Sequence, residues 1–436
     1  MAQHHIEAAI SDINLRGRAA AMMSFGCLLA VLMLVATAPT EAQTFSVLYN
    51  FTGGADGFDP IGATVGPSGV LYGTAQFGGS HGAGTVFKLS HVNSGWVFSP
   101  LHEFTGGGDG LMPSGGVTIG PNGALYGPTS FGGADGIGVV FELRPPPTAC
   151  GSALCYWNET VLHSFTGPPD GGVPVYVNLV FDRAGDIYGT TFYGGVGGYG
   201  IVFELSPSGG AYTENILHSF GFGVGGTYPN AGVVLDSVGN VYGTTTYGGT
   251  GTECLNMDYC GTVYQLVPSG GNWTENVLVN FDSDGLNGAE PLTAPVIDAS
   301  GNLYGTAGVV YKLTPSGGGF TYSIISTLNG MFCGYQSPLV EDTAGNFFGT
   351  CQNGPGSGGP GWVFKLTNCS QTCTVVDLHD FNGTTDGAGP LGPVALGANG
   401  NLYGTTIAGG TGGNGCNNGG CGVVWEIAGV GAPRKN

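Results

Sequence analysis

The feature that most constrains the fold is a short stretch that occurs seven times. Each copy has an apolar residue, an aromatic residue and glycine, and six of the seven copies continue with threonine. The aromatic residue stands at positions 72, 126, 188, 242, 304, 348 and 403. Self-similarity at a period of roughly 50 residues indicates a repeat architecture. Because the copies span nearly the whole chain, they predict one closed unit without a separate domain.

Each repeat carries four strand signals separated by turn signals. In the third repeat the signals cover residues 176–181, 187–191, 201–205 and 212–220. Glycine accounts for 87 of the 436 residues and recurs at fixed places, as turns require. Four short antiparallel strands per repeat, in seven repeats, predict an all-β fold, a seven-bladed β-propeller.

The two ends of the repeat region predict how the ring closes. The last repeat stops after its third strand, residues 423–427, and residues 45–51 resemble an orphan fourth strand. We therefore expect the N-terminal strand to complete the last blade, which removes an open sheet edge. The predicted propeller covers residues 43–428 and is followed by a tail, residues 429–436.

The first 42 residues have the features of a signal peptide. Arg16 and Arg18 precede an apolar run over residues 19–38, and a candidate cleavage site follows at residues 40–42. The pattern predicts export to the periplasm, the cell surface or the medium. The alternative is an uncleaved anchor, because roughly 20 apolar residues are enough to span a bilayer.

Charge excludes several classes of partner. The sequence holds 9 Lys and Arg against 29 Asp and Glu, a formal net charge of -20. Nucleic acids and anionic membranes are bound by clustered positive charge, so neither is an expected partner of the mature chain. We expect a monomer whose ligand is a glycan or another surface protein.

Ten of the eleven cysteines lie beyond residue 42, and an even number in an exported chain favours disulfides. Zinc would require four converging ligands, and these spacings do not have that pattern. The predicted pairs are Cys150–Cys155, Cys254–Cys260, Cys369–Cys373, Cys416–Cys421 and, from the remaining two residues, Cys333–Cys351.

The repeat resembles a known family. Residues 239–245, 247–249 and 261–266, with their counterparts from about residue 45 to 427, are similar to the GloVer-type tandem repeat of exported bacterial proteins with varied anchors. The resemblance implies a surface or secreted location and no established activity. The chain differs in ending without an apolar anchor. Its diglycines are also similar, more loosely, to those of kelch propellers.

Two repeated loops are expected on one face of the propeller, because the loop after the second strand and the loop after the fourth emerge together. One carries an aromatic residue before diglycine, and the other carries Asp-Gly. Rings that stack on sugars and carboxylates that accept from hydroxyls predict carbohydrate binding. The predicted residues are Phe77, Phe131, Tyr193, Tyr247, Asp56, Asp109, Asp170, Asp284 and Asp386.

The aspartates have two other interpretations. Asp in an Asp-Gly turn commonly bonds its own backbone amides. Ca²⁺ is the second alternative, although one carboxylate per loop supplies few of the six to eight oxygens that it takes. Apart from that calcium alternative, no cofactor or metal is predicted.

Motifs for catalysis are lacking in the sequence. His102, His163, His218 and His379 recur at one position of the fourth strand, which favours packing over catalysis. Glu142, Glu204 and Glu426 share a third-strand position with Lys and Gln, which predicts a solvent-facing side chain. An extracellular polysaccharide hydrolase or lyase would use non-repeated carboxylates, and Asp135, Glu253, Asp258 and Glu290 are candidates. A structural or adhesive role is a further alternative.

Overall fold

The computed structural model describes residues 43–93, 95–147, 155–223, 225–250, 260–282, 288–328, 333, 336–353, 359–412, 416 and 419–432. The chain divides into two compact units, Met1–Gln43 and Thr44–Asn436. The predicted signal peptide, residues 1–42, lies outside the described residues. Within the described ranges, no helix is long and apolar enough to cross a membrane.

The second unit is a ring of seven four-stranded antiparallel sheets. After β1 (Thr44–Asn50), blade 1 holds β2 (Phe58–Val65), β3 (Leu71–Phe77), β4 (Thr85–Val92) and β5 (Gly95–Glu103), with a 3-10 turn at Pro67–Gly69. Blade 2 holds β6 (Thr118–Ile119), β7 (Leu125–Thr129), β8 (Val139–Arg144) and β9 (Asn158–Ser164). Two short strands, β10 (Gly171–Gly172) and β13 (Tyr193–Gly194), pair with each other beside blade 3, which holds β11 (Val180–Phe181), β12 (Ile187–Thr191), β14 (Ile201–Ser208) and β15 (Ala211–Ser219).

The remaining blades repeat this order. Blade 4 holds β16 (Val234–Leu235), β17 (Val241–Thr245), β18 (Thr262–Ser269) and β19 (Asn272–Asn280). Blade 5 holds β20 (Val296–Ile297), β21 (Leu303–Thr306), β22 (Val310–Ser316) and β23 (Gly319–Ser326). Blade 6 holds β24 (Val340–Glu341), β25 (Phe347–Cys351), β26 (Trp362–Thr367) and β27 (Thr374–Asp380). Blade 7 holds β28 (Ala395–Leu396), β29 (Leu402–Thr406) and β30 (Val423–Ala428), with β1 as its outer strand.

The predicted seven-bladed propeller is therefore confirmed, as is its closure. Strand β1 pairs antiparallel with β30, so that Thr44 lies opposite Ala428 and Asn50 lies opposite Val423. The innermost strands are shorter than the sequence suggests: β11 has two residues, whereas the pattern predicts a strand over 176–181. Residues 176–179 precede the pairing of Val180 with Tyr188, and Val177 and Leu179 among them are buried.

The glycine of the repeated stretch has a steric cause. In every blade it lies opposite an aromatic residue of the third strand, whose ring covers it. A Cβ added at Gly189 would stand 2.6 Å from Cζ of Phe203 and 2.9 Å from Leu179 Cδ2. Added at Gly404, it would stand 2.3 Å from the ring of Trp425. Only glycine leaves room for these rings.

In four blades the threonine of the stretch is hydrogen-bonded to the next blade. The hydroxyl of Thr190 donates to the carbonyl oxygen of Ala231 at 2.6 Å, and that of Thr74 donates to Gly115 at 2.8 Å. The tyrosine hydroxyls bind acidic or amide side chains, as Tyr188 does with Glu204. The position of Glu142 was predicted to face solvent, which is wrong: its side chain is 3% exposed and accepts from the Tyr126 hydroxyl.

A buried phenylalanine follows the fourth strand of six blades and packs on the third-strand aromatic residue of the next blade. Phe165 lies 5.4 Å from Phe203, measured between ring centroids, and Phe104 lies 5.2 Å from Phe141. The backbone N–H of each of these phenylalanines donates to a glycine carbonyl that precedes the third strand. The set comprises Phe51, Phe104, Phe165, Phe220, Phe281 and Phe381, and Leu328 stands at this position after blade 5.

Three predicted disulfides are present: Cys333–Cys351, Cys369–Cys373 and Cys416–Cys421. Cys155 and Cys260 are also disulfide-bonded, and their predicted partners Cys150 and Cys254 lie outside the described residues. Disulfides persist in oxidising compartments, so these bridges indicate an extracellular or periplasmic protein. In the predicted tail, Val430 is buried, and the backbone N–H of Gly431 donates to the Gly400 carbonyl.

The ring-over-glycine contact predicts a specific cost of adding one methyl group. We expect Gly189→Ala to lower the free energy of unfolding by about 1–3 kcal/mol, because the Phe203 ring must move. Chemical denaturation with a fluorescence readout measures this. Gly108→Ala is the control, since nothing lies within 4 Å of its added Cβ and its φ is not positive. The control should change stability by less than about 0.5 kcal/mol.

A double variant that combines Gly189→Ala with Phe203→Leu tests the same contact in a second way. The double variant should lose less stability than the sum of the losses in the two single variants, because the smaller side chain makes room for the methyl group. Equal costs for Gly189→Ala and Gly108→Ala would contradict the steric explanation.

Candidate functional site

The two loops that the sequence places on one face do lie side by side. We call the surface that they form the loop face. The strands β10 and β13 pair a fourth-strand loop with a second-strand loop, and the backbone N–H of Gly195 donates to the Asp170 carbonyl. Leu111 pairs with Phe131 and Thr227 pairs with Tyr247 in the same way. Loops from two neighbouring blades therefore meet at each junction.

The predicted aspartates bind within their own loops. Asp56 accepts from the backbone N–H groups of Thr52 and Gly54 and from the hydroxyls of Thr52 and Tyr49. Asp109, Asp170 and Asp386 each accept from the backbone N–H four residues earlier. Asp284 lies outside the described residues. These contacts are those of the turn interpretation, and a ligand-binding role for the aspartates stays a prediction.

The four predicted aromatic residues differ in their surroundings. Phe77 stacks on Phe58 with 5.2 Å between ring centroids, and Phe131 is partly exposed at blade 2. Tyr193 is 44% exposed at blade 3. Tyr247 contacts Tyr228 edge to face, with 5.8 Å between ring centroids. Tyr193 lies at the junction of blades 2 and 3 and Tyr247 at the junction of blades 3 and 4, so the two residues flank one sector of the loop face, that of blade 3.

Four further aromatic residues occupy that sector. Tyr228 stacks on Phe192 at 4.7 Å and contacts Tyr199 edge to face at 5.4 Å. Tyr199 in turn lies 6.4 Å from Phe222, which is 63% exposed. Burial, together with the nearby hydroxyls of Tyr199 and Tyr193, raises the pKa of Tyr228. We call these residues the aromatic cluster: Phe192, Tyr193, Tyr199, Phe222, Tyr228 and Tyr247.

Loop packing, not the repeated motif, assembles the cluster. Tyr228 has a positive φ of 59° before Pro229, and its backbone N–H donates to the Tyr199 carbonyl at 2.9 Å. Asp59, Met112 and Glu290 make the same contact at their junctions. An aromatic residue at a position that is not aromatic in these other repeats is the sequence signal that could have identified Tyr228.

A second set of polar residues, which recurs in several repeats, lies between the outermost strands. His102, His163 and His218 lie near the ends of the outer strands of blades 1 to 3, and His163 and His218 each contact a glutamate on the outer strand of the following blade. The His163 Nε2 atom lies 3.3 Å from Asp170 Oδ2 and 3.7 Å from Glu214 Oε1. The His218 Nε2 atom lies 3.6 Å from Glu275 Oε2. The histidines also pack edge to face on Phe104, Phe165 and Phe220.

The glutamates at these junctions are held in an unfavourable environment. Burial raises the pKa of Glu159, Glu214 and Glu275 to about 7. The Oε1 atom of each is buried without a hydrogen-bond partner within the described part of the chain. His163, Asp170 and Glu214 also form a group whose ligand atoms lie within 4.8 Å of one another. Within this group the His163 imidazole is hydrogen-bonded to Asp170, as the His379 imidazole is to Asp386 in blade 6.

The raised pKa values predict that stability falls with rising pH. A carboxyl with a folded pKa of about 7, against 4.5 unfolded, stabilises the fold fully below pH 4.5 and loses that contribution through pH 7. Burial lowers the pKa of His102 and His218, and these histidines therefore make stability rise with pH, opposite to the glutamates. One glutamate should for this reason be tested alone. We expect Glu275→Gln to raise stability by about 1–2 kcal/mol at pH 8 and to leave it nearly unchanged at pH 5.

Denaturation at both pH values measures the difference. Asp135→Asn, at an exposed carboxylate on the loop face, is the control and should behave alike at pH 5 and pH 8. An equal effect of Glu275→Gln at both pH values would contradict the assignment of this group as a buried acid.

Comparison with solved structures finds propellers from several bacteria at low identity. A protein assigned as a 6-phosphogluconolactonase from Bacteroides uniformis has 14% identity and a TM-score of 0.49, over 79% of this chain and 89% of that one. The extracellular domain of a one-component system from B. thetaiotaomicron has 11% identity and a TM-score of 0.51, over 89% of this chain and 42% of that one. A protein assigned as a glucose dehydrogenase from Thermus thermophilus has 13% identity and a TM-score of 0.43, over 88% of this chain and 100% of that one.

The match to the extracellular domain of the one-component system, with 11% identity and a TM-score of 0.51, supports the fold alone. No curated protein matches the chain. The profile of the Gloeobacter/Verrucomicrobia repeat matches residues 33–159 and 155–308, which is more than half of the sequence. The chain therefore belongs to the Gloeobacter/Verrucomicrobia repeat family.

Proposed function

We propose that this protein is an exported binding module that recognises a neutral carbohydrate through the aromatic cluster on its loop face. The observation that carries the proposal is the concentration of six aromatic side chains in one sector. Two of them, Tyr193 and Phe222, are 44% and 63% exposed. Phe222 contacts the ring of Tyr199, and rings that pack on one another give a rigid apolar surface to which tyrosine hydroxyls add hydrogen-bonding groups.

The chemistry of the cluster favours a neutral, hydroxyl-rich ligand. The apolar faces of sugar rings stack on aromatic side chains, while the hydroxyls of Tyr193, Tyr199 and Tyr228 can donate to or accept from sugar hydroxyls. With 29 acidic residues against 9 basic ones, the protein would repel an acidic polysaccharide. Disulfide bonding fits a protein that works outside the cytoplasm, where polysaccharides are met.

Binding without turnover is the function that these side chains support best. Of the carboxylates considered for catalysis, Glu253 and Asp258 lie outside the described residues. Asp135 is exposed at blade 2, whereas burial raises the pKa of Glu290 between blades 4 and 5. These two belong to different junctions, and an acid and a base must reach one bond.

The proposal predicts a loss of binding when an exposed ring is removed. A panel of neutral polysaccharides and oligosaccharides is screened for binding and, in parallel, for released products. We expect a binder without products, and Tyr193→Ala or Phe222→Ala should weaken its affinity about tenfold, since a stacking ring contributes roughly 1.4 kcal/mol. Titration calorimetry gives the affinities.

Tyr156→Ala is the matched control for this experiment. Tyr156 is 48% exposed, and its hydroxyl donates to Glu103 at the junction of blades 1 and 2, away from the aromatic cluster. Its removal should leave the affinity unchanged. Equal losses in all three variants, or binding that survives Tyr193→Ala and Phe222→Ala together, would refute the aromatic cluster as the binding surface. Released products would favour the enzyme alternative.

A further inference from the structure

The group formed by His163, Asp170 and Glu214 connects two blades. His163 lies near the end of the outer strand of blade 2, Asp170 lies in the loop that follows, and Glu214 lies on the outer strand of blade 3. The candidate ligand atoms of the three side chains all lie within 4.8 Å of one another. Among the residues that the structure describes, it is the one such group of histidine, cysteine and carboxylate side chains.

The distances between these atoms suit a small divalent ion. The His163 Nε2 atom lies 3.3 Å from Asp170 Oδ2 and 3.7 Å from Glu214 Oε1. Ligand atoms that surround Zn²⁺ tetrahedrally at about 2.0–2.1 Å stand about 3.3 Å from one another. Two of the three separations are therefore close to those of a tetrahedral site. The third can close by rotation of the Glu214 carboxylate, because its terminal torsion has a broad range.

Glu214 is the member of the group that most needs a further partner. Its side chain is 14% exposed, and its Oε1 atom is buried and accepts no hydrogen bond within the described part of the chain. Burial raises the pKa of this carboxyl, and the negative charge of Asp170 adds to the rise while His163 opposes it. A cation between the two carboxylates removes their repulsion and gives Oε1 a partner.

The other two side chains are already positioned. The Asp170 Oδ2 atom accepts from the backbone N–H of Thr166 at 2.8 Å and from the Thr166 hydroxyl at 3.1 Å, and Oδ1 accepts from the Gly171 N–H. Hydrogen bonds of this kind orient carboxylates that bind metals. The His163 ring packs edge to face on Phe165, with 4.8 Å between ring centroids. Binding an ion therefore requires little ordering of these groups.

The donor set indicates which ions fit. An imidazole nitrogen suits Zn²⁺ and other transition metals, whereas Ca²⁺ and Mg²⁺ take oxygen ligands. Three protein ligands leave a fourth position, and water can fill it because the three side chains are 14–20% exposed. The ion replaces the proton that His163 shares with Asp170, so metal and proton compete for the site.

The junction of blades 3 and 4 has only two of the three ligands. There His218 Nε2 lies 3.6 Å from Glu275 Oε2, as His163 lies beside its glutamate. Gly225 stands at the repeat position of the aspartate, directly before the glycine of the Asp-Gly turn. A Cβ added at Gly225 would stand 2.5 Å from Glu275 Oε2, so this position also lies beside the glutamate. This junction therefore provides a matched comparison.

Two further junctions differ in other ways. Between blades 6 and 7, Phe45 lies at the strand position of the glutamate, and its ring stacks on His379 with 3.7 Å between centroids. Between blades 1 and 2, His102, Asp109 and Glu159 are of the same three residue types, but their ligand atoms form no group within 4.8 Å. Packing of the blades therefore does not by itself require the arrangement found between blades 2 and 3.

We propose that His163, Asp170 and Glu214 bind a divalent transition-metal ion, represented by Zn²⁺, between blades 2 and 3. The inference goes beyond the proposed carbohydrate function and does not depend on it. The ion ties the outer strand of blade 3 to the loop that contains β10, and β10 pairs with Tyr193–Gly194. It therefore cross-links two blades beside the aromatic cluster.

Titration calorimetry tests the site on the full mature protein, without an affinity tag and after removal of metals with a chelator. Zn²⁺ is the probe, and Ca²⁺ and Mg²⁺ are the comparison ions. We expect one Zn²⁺ per chain and at least about tenfold weaker binding of Ca²⁺ and Mg²⁺. His163→Gln and Glu214→Gln should each weaken Zn²⁺ binding at least about tenfold, since even the residues that orient ligands contribute roughly 10–100-fold.

Glu275→Gln is the matched control, because its junction has only two of the ligands. It should leave the Zn²⁺ affinity unchanged. Zn²⁺ should raise the melting temperature of the wild type and of Glu275→Gln but not that of Glu214→Gln. If His163→Gln fails to fold, Glu214→Gln, which keeps the shape of the side chain, decides the assignment. X-ray absorption at the zinc edge should show nitrogen and oxygen ligands at about 2.0–2.2 Å and no sulfur.

Three results would overturn the proposal. Failure of the metal-free wild type to bind Zn²⁺ would leave the three residues as an ion-paired junction. Zn²⁺ binding that is equally tight in the wild type, His163→Gln and Glu214→Gln would place the ion elsewhere. Binding of Ca²⁺ as tight as that of Zn²⁺ would refute the assignment to a transition metal.

Discussion

The propeller depends on one contact that every blade repeats: an aromatic ring of the third strand lies over a glycine of the second. The ring also contacts the phenylalanine that follows the outer strand of the preceding blade, as Phe203 contacts Phe165. A contact inside one sheet thus becomes the contact between sheets. Threonine hydroxyls add a second link at the axis, as from Thr190 to Ala231. Because the blades share this geometry, the loops above them are free to differ.

The fold could be predicted because its information is local. Each repeat contains the signals for its own strands and turns, and the copies count the blades. Even the Cys333–Cys351 bridge follows from the position of each residue in its repeat. The aromatic cluster could not be predicted as a unit, since Phe192, Tyr199 and Tyr228 meet only where loops of different blades cross. Two of its members, Tyr193 and Tyr247, could be predicted from the sequence because they belong to the repeated motif.

Burial was the harder property to predict. Glu142 occupies a position that other blades fill with lysine or glutamine, a pattern typical of exposed residues, yet Tyr126 and Asn122 enclose it. Glu275 likewise lies on the outer strand of its blade, where the alternating pattern predicts exposure. In the folded ring the neighbouring blade packs against it, and burial raises its pKa. A single sequence shows the pairing pattern along a strand, whereas the environment of a side chain depends on the adjacent sheet.

The pairing of β1 with β30 has a consequence for biogenesis. The strand that is synthesised first must wait for the strand that is synthesised last, since Thr44 and Ala428 lie opposite each other. Until then both edges of the nascent ring expose unpaired backbone, which can recruit strands from other chains. Contacts this distant in sequence also form slowly. Closure therefore acts as a check on chain completeness, because a prematurely terminated chain cannot hide its edges and is left open to proteases and aggregation.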